Sequence, residues 1–156
     1  MEKKSYSVTE AKVKLQQFCA YQDRCHKEVV EKLQKMNMIP EAIDLIVTEL
    51  IQDNFLNEER FARSFARGKF RIKKWGRLRI VRELKFRNIS KYNIDAGLKE
   101  IEEVDYLNTL DELARKRTNA VKEANPFKRK KKIADYLFYR GWESHLVYEK
   151  INELVK

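Results

Sequence analysis

Three stretches of the chain carry the same pattern of apolar positions. With Leu33, Leu84 and Leu137 aligned, each stretch has a helix-stopping residue four positions later: Asn37, Asn88 and Gly141. Aliphatic residues follow at ten positions (Ile43, Ile94, Val147), fourteen (Val47, Leu98, Ile151) and seventeen (Leu50, Ile101, Leu154). The marks lie about 50 residues apart. A fixed apolar code at this period predicts tandem helical modules, each too small to bury its apolar face alone. No stretch alternates with period two, so strands are not expected.

The punctuation divides each module into three helices. In the first, Ser7 and Glu10 form a capping-box pattern ahead of a helix with Val8, Ala11, Leu15 and Phe18 on one face. A turn near Gln22 and Asp23 leads to a helix through Val29, Val30 and Leu33, stopped at Asn37. Pro40 then opens a third through Ile43, Ile46, Val47 and Leu50. In the second, Asn57 is the N-cap, with Glu58 and Glu59 in the first turn; the helix runs to about Lys74 and Gly76 breaks it. The next helix holds Ile80 and Leu84, and Ser90 caps the third, which places Ile94, Leu98 and Ile101 inside. The last module starts at Asn108 or Thr109 and runs through Leu110, Leu113 and Val121. Asn125-Pro126 interrupts it, Ile133 and Leu137 lead to Gly141, and Val147, Ile151 and Leu154 close it. The expected architecture is all-α: three tandem three-helix modules over residues 7–53, 54–105 and 106–156, in an elongated, curved array.

Composition agrees with helices. The 156 residues include 37% charged residues but only 4 Gly and 2 Pro. No apolar run spans a bilayer, and the opening MEKKSYSVTE lacks the apolar core of a secretory signal, so a soluble cytoplasmic protein is expected. Cys19 and Cys25, on opposite sides of a turn, read as packing thiols; His26 and His145 have no second ligand at metal spacing.

The net charge of +10 changes the picture, because a field of that sign attracts polyanions. Its placement is uneven. From Arg60 to Lys91 the only acid is Glu83. At about 100° per residue, Arg60, Arg63, Arg67, Arg71 and Lys74 fall on one stripe roughly 60° wide, while Phe61, Phe65 and Ile72 fall about 120° around, on the side expected to dock into the core. Lys69, Lys73, Arg77, Arg79 and Arg82 extend the basic surface across the break at Trp75-Gly76. A second patch, Lys128, Arg129, Lys130, Lys131 and Lys132, is backed by Arg115, Lys116, Arg117 and Lys122. The third helix of each module is acidic instead: Glu41, Asp44 and Glu49; Glu100, Glu102, Glu103 and Asp105; Glu149 and Glu153. One-sided modules suit a protein lying along an extended polyanion, with guanidinium groups forking onto phosphates. Trp75, Phe70 and Phe86 are read as packing residues before base-stacking ones.

The motifs of phosphate-loop, serine-hydrolase and zinc-protease chemistry are absent, and Cys25-His26 are sequence neighbours, which point apart on a helix. Glu83 and Lys85 lie inside an amphipathic helix and not on a metal-site strand. No enzyme activity, cofactor or metal is expected. Two binding functions fit the pattern from residues alone: a stand-alone nucleic-acid-binding module, or a helical scaffold for an acidic protein.

The order of the motifs narrows this. Phe55-Leu56-Asn57-Glu58-Glu59-Arg60-Phe61-Ala62-Arg63-Ser64-Phe65, followed by Gly76, Arg79, Ile80, Glu83, Leu84 and Ile89, resembles the RecX family of bacterial regulators of the recombinase RecA. Arg24, Glu28, Leu33 and Lys35 are similar to the family's opening pattern. Asn57 and Glu58 replace an acidic pair, and Asn88 replaces a Gly, with the capping role kept. The resemblance covers roughly Val8 to Leu154. It implies a modular helical fold without catalysis, binding in the groove of the RecA filament on DNA, and inhibition of ATP hydrolysis, filament growth and strand exchange. On this reading Arg60, Arg63, Arg67, Lys69, Arg71, Lys73, Lys74, Arg77, Arg79, Arg82, Lys128, Arg129 and Lys131 are the expected DNA- or filament-facing residues of a monomer.

Overall fold

A computed structural model of the chain describes residues 5–156; the first four residues of the MEKKSYSVTE segment lie outside it. The described residues form nine α-helices and no strand: α1 Val8–Tyr21, α2 His26–Lys35, α3 Pro40–Gln52, α4 Glu58–Lys73, α5 Arg77–Phe86, α6 Lys91–Leu98, α7 Glu103–Ala120, α8 Pro126–Tyr139 and α9 Ser144–Leu154. The fold is all-α and tandem, as the repeat predicts.

The repeat has a backbone cause. Asn37 and Asn88 take φ of 59°, and Gly141 takes φ of 93°. All three stop residues therefore end the second helix of their module in left-handed conformation, which Asn tolerates and Gly adopts without strain. The N-termini follow the expected caps. Glu10 donates its backbone N–H to Ser7 Oγ while Ser7 donates its own to Glu10 Oε1. Asn57, Ser90 and Asn125 accept from Arg60, Asn93 and Lys128 backbone N–H groups. Pro40 and Pro126 occupy first-turn positions where no N–H is needed.

Three local expectations are corrected. α7 starts at Glu103, five or six residues before Asn108 and Thr109; its N-cap, Glu102, makes no side-chain cap, so the sequence carries no capping signal there. Ile101 is buried but lies beyond the end of α6. Ile72 does not dock: it is 79% exposed. Phe61 is buried and Phe65 packs against the core as expected, but the buried side of α4 extends around the helix from Phe61 to Ala62, Ala66 and Phe70 and leaves Ile72 out. Small residues sit there because α6 packs against α4 at close range. A Cβ added at Gly97 of α6 would lie 2.7 Å from the Ala62 carbonyl oxygen.

The three modules bury two cores. One is that of the first module, closed by Leu56 from the connection to α4: Ala11, Leu15, Cys19, Val29, Leu33, Ile43, Ile46, Val47, Leu50 and Leu56. The other runs without interruption from Phe61 of α4 to Val155 after α9, so the second and third modules share an interior. Cys25 is the one buried residue of the first module within that shared core. Its thiol hydrogen-bonds Glu28, and burial pushes its pKa up to about 12. Both thiols are free and buried.

The joint between the second and third modules is built from backbone. The α4–α5 turn lies directly on the α8–α9 turn. Gly76 N–H donates to the Arg140 carbonyl at 2.8 Å, and Leu78 N–H to the Gly141 carbonyl at 3.0 Å. Arg140 Nη1 and Trp142 Nε1 donate to the carbonyls of Lys73 and Lys74 at 2.8 and 3.2 Å. Beneath the turns Tyr106 is fully buried, its ring 4.4 Å from that of Trp142 and 5.9 Å from that of Phe70. Its hydroxyl accepts from the Arg77 N–H at 2.9 Å and donates to Glu143. Burial and the Glu143 hydrogen bond hold the phenol well above its ordinary range. Tyr106→Phe keeps the ring but leaves the Arg77 N–H without its acceptor, and is expected to cost about 1–3 kcal/mol in urea unfolding. The folded phenol keeps its proton where an unfolded one ionises. Wild-type stability therefore falls as pH rises above about 10, and the variant lacks that part of the alkaline slope.

Candidate nucleic-acid interface

The expected basic stripe divides into two parts. Its N-terminal half is used internally. Arg60 donates to Asp23 at 2.7 Å and to Asn54 and the Phe55 carbonyl, clamping the α1–α2 turn onto the α3–α4 connection. Arg63 and Arg67 pair with Glu100 at 3.4 and 3.5 Å, and Arg63 lies 3.8 Å from Glu59. The charge pattern groups Glu100 with an acidic side away from the stripe; the short α6 delivers it onto the stripe instead. These pairs are half-exposed and stabilise weakly, but they offset local charge.

The C-terminal half is open. Arg71 and Lys73 are exposed at the end of α4, Lys74 follows in left-handed conformation, and Arg82 is exposed on α5. None of the four meets a carboxylate among the described residues. Lys69 lies over Phe65 and Trp75, at 5.5 and 5.0 Å from the ring centres. Phe70 is buried and Phe86 is exposed beneath the Lys27 ammonium, 4.0 Å away.

Two further members serve the joint. Arg77 bridges Glu143 at 2.9 Å and Glu103, and its guanidinium lies 3.8 Å over Tyr106. Arg79 is held between Trp75 and Tyr139, at 4.2 and 5.0 Å, and donates to the Tyr139 carbonyl.

In the second patch, Lys128 is exposed and meets no carboxylate among the described residues, whereas Lys131 pairs with Asp135 at 2.9 Å. Arg129 turns inward to the Thr118 carbonyl at 2.7 Å. Lys130 reaches Asn152 and Lys132 reaches Glu123. The spacing of the basic residues gives no sign of the aromatic component beside this patch. Tyr136 receives Arg117 at 4.5 Å and Arg140 at 4.8 Å, and Tyr139, one turn on, is 73% exposed. The spacing of Tyr136 and Tyr139 puts both on one helix face, which was the available signal. No group of three or more metal-capable side chains comes together among the described residues, and none of their helices is long and apolar enough to cross a membrane.

The sequence profile for the second three-helix domain of RecX matches residues 57–98, and that for the third matches residues 103–151. Together they cover more than half of the chain. The chain belongs to the RecX family. Among relatives named regulatory protein RecX, that of Lactobacillus gasseri is 33% identical over 90 residues, 58% of this chain and 33% of its own length. That of Clostridioides difficile is 25% identical over 148 residues, 93% of this chain and 68% of its own. This chain thus spans only about a third of the Lactobacillus gasseri relative. The crystal structure of RecX from Lactobacillus salivarius superposes with a TM-score of 0.82 over 94% of this chain and 96% of that one, at 22% identity, and shares the fold. RecX is a family of regulatory proteins, and the tandem three-helix domains that define it include the α4–α6 and α7–α9 units described above.

Proposed function

We propose that the chain is a non-catalytic regulator that binds the RecA filament on DNA and restrains ATP hydrolysis, filament growth and strand exchange. Membership of the RecX family supports the choice of partner. The observation that carries the DNA component is a set of cations without carboxylates among the described residues: exposed Arg71, Lys73 and Arg82 with half-buried Lys74, on the helices and turn that join the second module to the third. Lys128 on α8 adds a further cation of this kind. Arg60, Arg63, Arg67, Arg77 and Arg129 serve by shaping that surface. Tandem modules on one chain engage neighbouring filament subunits at once, so modest single contacts add up to tight binding. The protein acts as a cytoplasmic monomer and needs no cofactor.

Phosphate contact predicts a specific salt response. The logarithm of affinity for DNA alone should fall linearly with the logarithm of salt concentration, with a slope of about −0.7 to −0.9 per phosphate contacted and no preference among sequences. Anisotropy of labelled DNA across a salt series, with random-sequence competitor, measures both. A flat salt response removes the phosphate surface. Strong preference for one duplex over competitor favours a sequence-reading, stand-alone DNA-binding module.

A further inference from the structure

Two buried side-chain nitrogens among the described residues have no hydrogen-bond partner, and both are arginine Nε atoms: Arg79 and Arg117. Buried donors without acceptors are uncommon and call for an explanation. Both guanidinium groups lie over aromatic rings. Arg79 is held between Trp75 and Tyr139, and Arg117 stacks on Tyr136. Arg117 differs from the paired arginines of the stripe: it is half-buried, yet meets neither a carboxylate nor a carbonyl among the described residues.

Arg117, Tyr136 and Tyr139 line a shallow groove between α7 and α8, together with Lys122, Lys132 and Asp135. Its acids are engaged: Asp135 pairs with Lys131, and Glu123 nearby pairs with Lys132. Arg117 and Lys122 are left as cations without counter-charge among the described residues. Tyr139 is 73% exposed, so its ring contributes little to any core. Arg79 contacts Tyr139 from one side of the joint, and Arg140 ties the α8 end to the Lys73 carbonyl.

We infer that this groove stacks the bases of single-stranded nucleic acid. The inference deepens the functional reading above and rests on it. An exposed ring offers a π-face to any unpaired base, while a guanidinium held over a ring offers its terminal N–H groups to a phosphate with little rotamer freedom left to lose on binding. The backbone of the strand passes along Arg117 and Lys122, with a base laid on Tyr139. A duplex does not fit this role, because its bases are already stacked on each other and only their edges reach the surface. The rigid joint matters here: the phosphate-binding end of α4 and the stacking face of α8 keep a fixed separation.

The test compares a labelled oligothymidylate with a labelled duplex of equal length, by anisotropy at moderate salt. Tyr139→Ala is expected to weaken single-strand binding about tenfold, the contribution of one stacked base, and to leave duplex binding unchanged. Tyr139→Phe keeps the ring and should bind as wild type. Arg117→Lys keeps the charge but loses the planar fork, and should weaken the single strand several-fold. Unchanged single-strand affinity in Tyr139→Ala, or an equal loss on duplex, overturns the stacking site. Arg71→Glu with Lys73→Glu serves as the reference for the underlying reading and should weaken both DNA forms. If it weakens neither, the phosphate surface fails; if it weakens both while Tyr139→Ala changes nothing, only the stacking site fails.

Discussion

Gly141→Ala is expected to lower stability by about 3 kcal/mol, a large share of the roughly 5–15 kcal/mol typical of a folded domain. Two effects add. Gly141 takes φ of 93°, which a residue with a side chain adopts only at a cost. A Cβ there would also lie 2.3 Å from Arg79 Cβ and 2.4 Å from its backbone nitrogen. Neither neighbour can give way cheaply, because the same turn carries the Leu78 N–H bond to the Gly141 carbonyl. Gly76 meets it from the opposite side; a Cβ there would lie 2.4 Å from the Gly141 carbonyl oxygen. Gly68 supplies the control. A Cβ at that helical position has nothing within 4 Å, so Gly68→Ala should stabilise by about 0.5–1 kcal/mol. Urea unfolding of the two variants beside wild type decides the matter. A Gly141→Ala midpoint equal to wild type would mean that the two turns do not lock the modules.

The second large effect concerns function. Arg71→Glu with Lys73→Glu should weaken binding to RecA filaments on DNA at least tenfold, and should reduce the salt slope by about two, one for each phosphate that is no longer neutralised. Both side chains are exposed, so the helical content should not change. Arg63→Glu with Arg67→Glu is the comparison. Those arginines are already paired with Glu100, so their reversal places acids against an acid and acts first on stability. Filament binding by sedimentation, with thermal melts of each variant, separates the two behaviours. Equal drops in filament affinity at matched stability would return the whole stripe to the DNA-facing role expected from its helical spacing.

What the sequence disclosed follows from the range of the interactions. The helix stops at Asn37, Asn88 and Gly141 and the caps at Ser7, Asn57, Ser90 and Asn125 are local, because each satisfies backbone groups within a few residues. They are readable one by one, and their threefold recurrence points to the architecture. The start of α7 is not readable, because Glu102 caps with no side chain and tertiary packing around Tyr106 sets it. The fate of the basic stripe is hidden for the same reason. Helical spacing puts Arg63 and Arg67 beside Arg71, but only the close approach of Gly97 to Ala62 carries α6, and with it Glu100, onto their face. Ile72 is the converse case: it fits the apolar spacing of α4, but no neighbouring element covers it. The Gly76–Gly141 joint pairs residues far apart in the chain, so neither glycine's partner is visible in the sequence beyond its role as a breaker.

Single-stranded-DNA-dependent ATP hydrolysis by the same organism's RecA-type recombinase, titrated with this protein while DNA is kept in excess, tests the central claim most directly. Inhibition at low ratios of protein to recombinase is the predicted result, because competition for surplus DNA does not produce it. Unchanged hydrolysis at equimolar protein would contradict filament regulation and leave the basic surface to DNA alone.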